Sequence, residues 1–381
     1  MRIVVIGAGI LGAAVAASLT RRGAQVTILE AQHPGAGTTA TTFAWVNSAN
    51  KDPESYFALN HAGVRAHHEF AGQRAAPWFF PTGNLEWAVS DQHRAVLTAR
   101  MAKLRARDYP ARWITAEQAR ALEPDLICPP DADYAFFPEE AHVLPALLLS
   151  QLLGEAKDGG ARIRYRAAVT EITADAVHTE DSQRHPADIV VSCAGRWTAQ
   201  VAQLAGAHVP MLETATPGST TVGLLTTTAA QPARLSRVLT TPALNVRPDG
   251  GGRLLLQALD LDQHADPNQP PSPDDPLPSD IVRRLTEVLS GTEGTVVERV
   301  RVGRRSMPAD GRTVAGFADR DGRFYVLATH SGITLAPLLA ELATQELYGT
   351  DAATLRDFRP DRFAPGIDVH APQPARLPGE Q

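Results

Sequence analysis

Cysteine is nearly absent from this chain of 381 residues: Cys128 and Cys193 are the only two. Two cysteines make no disulfide framework, so a reducing compartment is expected. Lysine is almost as scarce, with only Lys51, Lys103 and Lys157. Arginine carries the positive charge instead, a bias we read as genomic base composition. No run of 18 apolar residues occurs, so no membrane span is expected. The net charge of -6 supplies no basic footprint for nucleic acid or an anionic membrane. The chain enters an apolar strand at once, leaving no room for a signal peptide, and a cytoplasmic location is expected. His61, His67 and His68 have no acid or cysteine at ligand spacing, so they read as a solvated helix face and no metal is expected. No serine or cysteine nucleophile motif stands out either.

What is present is ordinary in bulk and specific in detail. Hydrophobic residues make up 44% and charged residues 20%, as in a globular protein, and the length predicts two intimately joined domains. Residues Arg2 to Gly12 read Arg-Ile-Val-Val-Ile-Gly-Ala-Gly-Ile-Leu-Gly, followed by a small-residue helix and an apolar strand, 25–29, that ends at Glu30. An apolar strand, a Gly-x-Gly-x-x-Gly turn, a helix and a second strand ending in an acid together predict a dinucleotide site. Gly7 permits the tight turn, Gly9 lets backbone approach a pyrophosphate, and Gly12 lets helix and strand pack closely. The amides of Ala8, Ile10 and Leu11 stand at the positive end of the helix. Glu30, followed by Ala31, suits ribose hydroxyls.

Further along, 35–42 is a glycine and threonine loop, and Thr115-Ala116-Glu117-Gln118 reads as a capping box. An amphipathic helix is predicted over 144–157, stopped by Gly159-Gly160. Short strands follow near 162–166 and 168–172, then the apolar run 188–195. Residues 209–260 alternate as antiparallel strands do. A proline- and aspartate-rich loop is predicted over 266–280, helices over 280–290 and 335–347, and a disordered tail over 361–381.

On four motifs taken in order, the chain resembles the D-amino-acid oxidase family of FAD-dependent oxidoreductases, which includes glycine oxidase, sarcosine oxidase and D-amino-acid dehydrogenase. They are Gly7 to Gly12 with Glu30; Val190-Val191-Ser192-Cys193-Ala194-Gly195-Arg196-Trp197; Arg305-Ser306-Met307-Pro308-Ala309-Asp310-Gly311; and His330-Ser331-Gly332-Ile333-Thr334-Leu335-Ala336-Pro337. The resemblance implies α/β plus α+β architecture: a Rossmann-like FAD-binding domain of the glutathione-reductase type with an inserted antiparallel-sheet substrate domain. The implied division assigns 1–54, 142–208 and 297–360 to the first and 55–141 and 209–296 to the second.

The same resemblance implies site residues. Thr38, Thr39, Thr41 and Thr42 run along the pyrophosphate toward the flavin, and Val169 contacts the adenine through its backbone. Ala194 and Gly195 abut the cofactor, as small residues at a strand end permit, and Trp197 contacts it beside them. The helix start at Gly332, Ile333 and Thr334 points at the flavin edge where negative charge gathers on reduction. His330 faces flavin or substrate. Arg305 clamps a substrate carboxylate with its planar donor pair. The neighbouring Arg304, and Ser306 where the family usually has proline, leave open which arginine points inward. Asn47 and Arg247 are further candidates to line the pocket. Ser306 stands where sarcosine oxidases carry a flavin-tethering cysteine, so FAD is expected to be non-covalent. Lys51 could approach the flavin but reads better as a surface lysine.

The function so implied is oxidation of a C–N bond in a small amine or amino acid (a D-amino acid, glycine or an N-substituted amino acid). Hydride passes to flavin N5, an imine results, and oxygen or another acceptor reoxidises the cofactor. Two alternatives remain open: a dehydrogenase of a 2-hydroxy acid or opine-like substrate using a non-oxygen acceptor, and a flavin-binding subunit of a complex. Substrate, stereochemistry and oligomeric state are open.

Overall fold

The computed structural model describes residues 1–364 and 370–372. Its first unit is built as the opening motif predicts: strand β1 (Arg2–Ile6), helix α1 (Ile10–Arg21) and strand β2 (Gln25–Leu29). β1 lies between β2 and the strand Ile189–Ser192, parallel to both, with Ile3 opposite Val26 and Ile189. A six-stranded sheet results, in the order 314–317, 324–328, 189–192, 2–6, 25–29, 162–164. Parallel strands buried on both faces need continuous apolar runs, which is what Ile3 to Ile6 and Val190-Val191 supply. The alanine-rich α1 packs on this sheet and against the helices Pro145–Asp158 and Gly332–Leu347.

An eight-stranded, mostly antiparallel sheet forms the second layer system, in the order 297–304, 222–228, 254–257, 245–248, 238–240, 84–88, 133–137, 112–114. The strand Val297–Arg304 pairs with Val222–Thr228 over its whole length. Residues 297–304, expected with the nucleotide-binding segments, therefore belong to this sheet, because its ladder bonds all go there.

Helix α2 (Glu54–Gly72) also departs from expectation. All but its first residue lies within 55–141, the stretch expected with the substrate domain, yet its apolar face (Tyr56, Leu59 and Val64) joins the core beneath α1 and the helix Gly332–Leu347. Its histidines are not a solvated face. His67 is fully buried and its Nε2 lies 2.6 Å from the Ile333 carbonyl oxygen. That carbonyl is the one whose intrahelical donor is missing, because the residue four positions on is Pro337. His68 bonds the Glu139 carbonyl at 2.9 Å.

Element ends moved for identifiable reasons. The capping box at Thr115 forms as predicted, with Gln118 bonding in both directions. The helix expected over 280–290 instead spans Pro276–Leu285, with a proline at its first position, where no N–H is needed. The helix expected from 335 begins at Gly332: Ser331-Gly332 reads as a turn, but the Leu335 amide already bonds the Ser331 carbonyl at 2.9 Å. The tail expected to be disordered from 361 starts as a 3-10 turn, Pro360–Phe363, with Phe363 buried. Residues 365–369 and 373–381 of that expectation lie outside the described residues.

Candidate active site

Two cavities meet at the carboxyl ends of the parallel strands, where ligands bind in open α/β sheets. A groove of about 520 Å³ runs from Glu30, Ala31 and Val169 past Gly9, Ile10 and Leu11 to Ala194, Gly195, Trp197 and Gly332. A chamber of about 410 Å³ lies beyond it, lined by Asn47, Lys51, Tyr56, Gln257 and Arg305 among others. Thr38, Thr42, His330 and Ile333 line both, so the two are continuous.

The glycines of the opening turn divide the work. Gly7 has φ +103°, and a Cβ there would sit 2.5 Å from the Cys193 carbonyl oxygen. A Cβ on Gly12 would sit 2.0 Å from the Gly7 oxygen. Gly9 is different: a Cβ there would meet only Thr39 Oγ1, at 3.4 Å. The fold requires the first and third glycines, whereas the second faces the groove. The first ladder bond of α1 runs from the Ala13 amide to the Gly9 carbonyl at 3.0 Å, which leaves the amides of Leu11 and Gly12 outside the ladder. The Ile10 amide donates to Thr39 Oγ1 at 3.1 Å, so the threonine loop caps the helix from 29 residues away. Glu30 accepts from the Ala8 amide at 2.8 Å and from the Gln32 amide at 2.8 Å, fixing its carboxylate at the groove's edge.

Ser306 lines the groove, and its buried hydroxyl has no hydrogen-bond partner among the described residues. A buried polar atom facing a groove is completed by a polar ligand. Orphaned amides at a helix start, an open second glycine, a carboxylate at the second strand end and this hydroxyl together fit a dinucleotide such as FAD.

Of the expected cofactor residues, Gly7, Gly9, Ile10, Leu11, Glu30, Ala31, Thr38, Thr39, Thr42, Val169, Ala194, Gly195, Trp197, Gly332 and Ile333 line the groove. Ala8 and Gly12 lie buried beneath it, and Thr41 and Thr334 line the chamber instead. The Thr334 hydroxyl is taken up by the Trp45 carbonyl at 3.3 Å.

Arg305 faces the chamber; Arg304 turns away to the Pro267 carbonyl at 2.9 Å and Asn268 at 3.1 Å. Asn47 lines the chamber. Arg247 does not: it is 1% exposed and bonded to the carbonyls of Phe43 and Pro248 and to Asp249, so it braces the wall from behind. Lys51 reverses its expectation as a surface residue, being 7% exposed and part of the lining. Burial pushes its ammonium down to about 8, with Glu140 opposing and Arg305 adding to the shift. Burial, then Lys51 and Arg305, hold His330 well below the ordinary imidazole value, so it is neutral at pH 7. The sequence signal for Lys51 was its position, four residues past Asn47 on the same loop. For Tyr56, Gln257 and the Asp262 that bonds Arg305 no local motif exists; only the tertiary fold assembles them.

Among the described residues no helix is long and apolar enough to cross a membrane. None of their His, Cys, Asp and Glu side chains cluster to hold a metal ion.

Comparison with known proteins agrees with this geometry. The fold is that of glycine oxidase from Geobacillus kaustophilus (TM-score 0.81, 18% identity, 97% of this chain and 100% of that one). L-proline dehydrogenase from P. horikoshii shares it (TM-score 0.81, 17% identity, 97% and 99%), as does iminodiacetate oxidase from Chelativorans sp. BNC1 (TM-score 0.76, 22% identity, 94% and 99%). In sequence, the tRNA 5-methylaminomethyl-2-thiouridine biosynthesis bifunctional protein MnmC of Acidovorax sp. (strain JS42) is 32% identical over 228 residues, 55% of this chain and 33% of that protein. The matched stretch is thus about a third of that relative's length. A family model described as FAD dependent oxidoreductase (DAO) matches residues 2–346. With that match across the groove and chamber alike, this chain belongs to the DAO family of FAD-dependent oxidoreductases and is an enzyme that uses FAD.

Proposed function

We propose that the enzyme oxidises the C–N bond of a small amino acid or N-substituted amino acid, giving an imine. The observation that carries this reading is the pairing of Arg305 and Lys51 in one chamber that opens onto the groove at His330. The Gly7 to Gly12 turn would hold the FAD pyrophosphate, Glu30 the ribose, Val169 the adenine, and Gly332 and Ile333 the flavin edge, with Trp197 lying against the cofactor. Bound there, FAD supplies the two-electron acceptor.

The chain's own residues supply position and charge. Arg305 offers a planar donor pair to a carboxylate, and Lys51 adds positive potential beside it. The same cations disfavour a protonated amine, which must be neutral to lose an α-hydride. His330, kept neutral, can bond the substrate without adding a third charge. The non-covalent reading of FAD rests on Ser306 at the tethering position and on Cys193, whose thiol burial pushes up to about 12. Acid precipitation is then expected to leave the flavin in solution.

Anaerobic mixing with glycine, D-amino acids, N-methyl amino acids and iminodiacetate tests the reading: at least one should bleach the flavin absorbance, and bleaching by none overturns it. Peroxide release then separates an oxidase from a dehydrogenase.

A second reading keeps the bond chemistry but places the amine on a tRNA nucleoside. The resemblance to the Acidovorax protein favours it; the net charge of -6 opposes it. Turnover of tRNA with no turnover of free amino acids would select it.

A further inference from the structure

We propose that Asp262 is the positioning residue for Arg305, fixing the face that the guanidinium turns toward a substrate carboxylate. The inference rests on the carboxylate role given above to Arg305.

Asp262 opens a short 3-10 turn, Asp262–His264, just past the strand Leu254–Gln257. That strand bonds the strand Val222–Thr228 only at Thr226 opposite Leu256 and Thr227 opposite Leu255. Continued in register, the next ladder donor would be Leu224, but the partner strand has ended. The Asp262 carboxylate takes its place: Oδ1 accepts from the Leu224 amide at 2.7 Å. Its other oxygen, Oδ2, accepts from Arg305 Nη2 at 3.0 Å and from Gln257 Nε2 at 3.3 Å. Asp262 is therefore tied at one oxygen to the sheet backbone and at the other to two chamber-lining side chains. The opposite prong of the guanidinium, Nη1, donates to the Thr220 carbonyl at 2.7 Å.

Two anchors on fixed backbone leave Arg305 one orientation, and a long side chain so held loses little freedom when it binds an anion. The cost is electrostatic. Asp262 is 7% exposed, and its negative charge cancels much of the field that Arg305 would otherwise exert on the chamber. Orientation and charge thus act in opposite directions at this residue, and their balance has a measurable sign.

The experiment is titration of the FAD-loaded protein with acetate, followed by perturbation of the flavin spectrum, with acetamide as the uncharged control. In Asp262→Asn the amide can bond Leu224 or Arg305 but turns a donor toward the other partner, while the chamber gains one positive charge. Positioning predicts that acetate binds roughly tenfold more weakly despite that gain, as expected for losing one oriented charge-assisted bond. In an Arg305→Met background the same substitution should change acetate affinity by less than about twofold. For an oxidisable amino acid, KM should rise while kcat holds.

Tighter acetate binding by Asp262→Asn overturns the proposal, since a mere counter-ion would produce that. Unchanged binding overturns it as well. Failure of the unaltered protein to bind acetate removes the carboxylate role of Arg305 itself, a distinct outcome that also sinks the inference. If Asp262→Asn does not fold, Gln257→Met removes one bond to Oδ2 without altering charge. Acetate binding weakened by about threefold then supports positioning, and binding unchanged or tightened counts against it.

Discussion

A methyl group added to Gly12 lies 2.0 Å from the Gly7 carbonyl oxygen, whereas one added to Gly9 meets only Thr39 Oγ1 at 3.4 Å. Gly12→Ala should therefore cost roughly 3 kcal/mol or more, since backbone must move to admit it. Gly9→Ala should keep the melting temperature of the FAD-free protein within a few degrees and yet purify with little flavin. Thermal melts beside the ratio of flavin to protein absorbance check both; equal loss of fold in the two variants contradicts the division. Lys51 makes a second prediction at this scale. Its folded value is lowered by burial to about 8 from the ordinary 10.5. The unfolded chain holds more protons between those values, so this residue's penalty on stability is complete below about 8 and fades as pH rises toward 10.5. Binding runs the other way: acetate affinity should fall as pH rises through about 8. Lys51→Met should flatten that profile, and a slope surviving the substitution assigns the titration elsewhere.

At the scale of elements, the apolar contact between α2 and the helix Gly332–Leu347 carries one hydrogen bond that the helix itself cannot make. Pro337 cannot donate to the Ile333 carbonyl, and His67 Nε2 reaches it at 2.6 Å. Burial pushes His67 down to about 4. The folded value lies below the unfolded 6.5, so the contribution is whole above 6.5 and is lost as pH falls from there to about 4. The loss is on the order of 3 kcal/mol. His67→Leu should abolish that acid sensitivity while costing about 1–3 kcal/mol near pH 7, the penalty of an unpaired buried carbonyl. Pro337→Ala restores the helix's own donor, so His67→Leu should cost at least 1 kcal/mol less in that background, roughly the size of such couplings. Urea unfolding of the four proteins at pH 7 and pH 5 tests this; additive costs sink it. The helix near 335–347 and the helical character of the stretch carrying the three histidines were legible, but their contact was not. Periodicity marks which face is buried and is silent about what it meets, so three histidines on α2 read as solvated.

The whole molecule shows the same split between local and assembled information. The β1–α1–β2 unit, Gly9, Gly12 and Glu30 were readable because their partners lie within thirty residues, and Gly7 because its positive φ belongs to the turn itself. Arg305 and His330 were readable through motif order. Arg247, placed in the pocket by sequence, turned out to brace its wall, and Lys51, placed on the surface, turned out to line it. Neither residue's surroundings are encoded near it. The sheet to which Val297–Arg304 belongs was not legible near it either, because its partners lie at 222–228, some seventy to eighty residues earlier.

That long-range assembly makes a final prediction about FAD. The groove is lined by residues from 6–11, 29–42, 167–169, 193–204, 306 and 329–333, segments from across the chain. A ligand held by all of them binds only the folded molecule and stabilises it by mass action: about 2.7 kcal/mol at a free concentration one hundred times Kd. For a chain of this size that is a rise in Tm of a few degrees, growing with the logarithm of FAD concentration. In the placement proposed above, FMN would reach only the flavin end of the groove and should give a clearly smaller rise at equal concentration. Equal rises for FAD and FMN mean that the Gly9 and Glu30 end contributes nothing, and the assignment of that half of the groove fails.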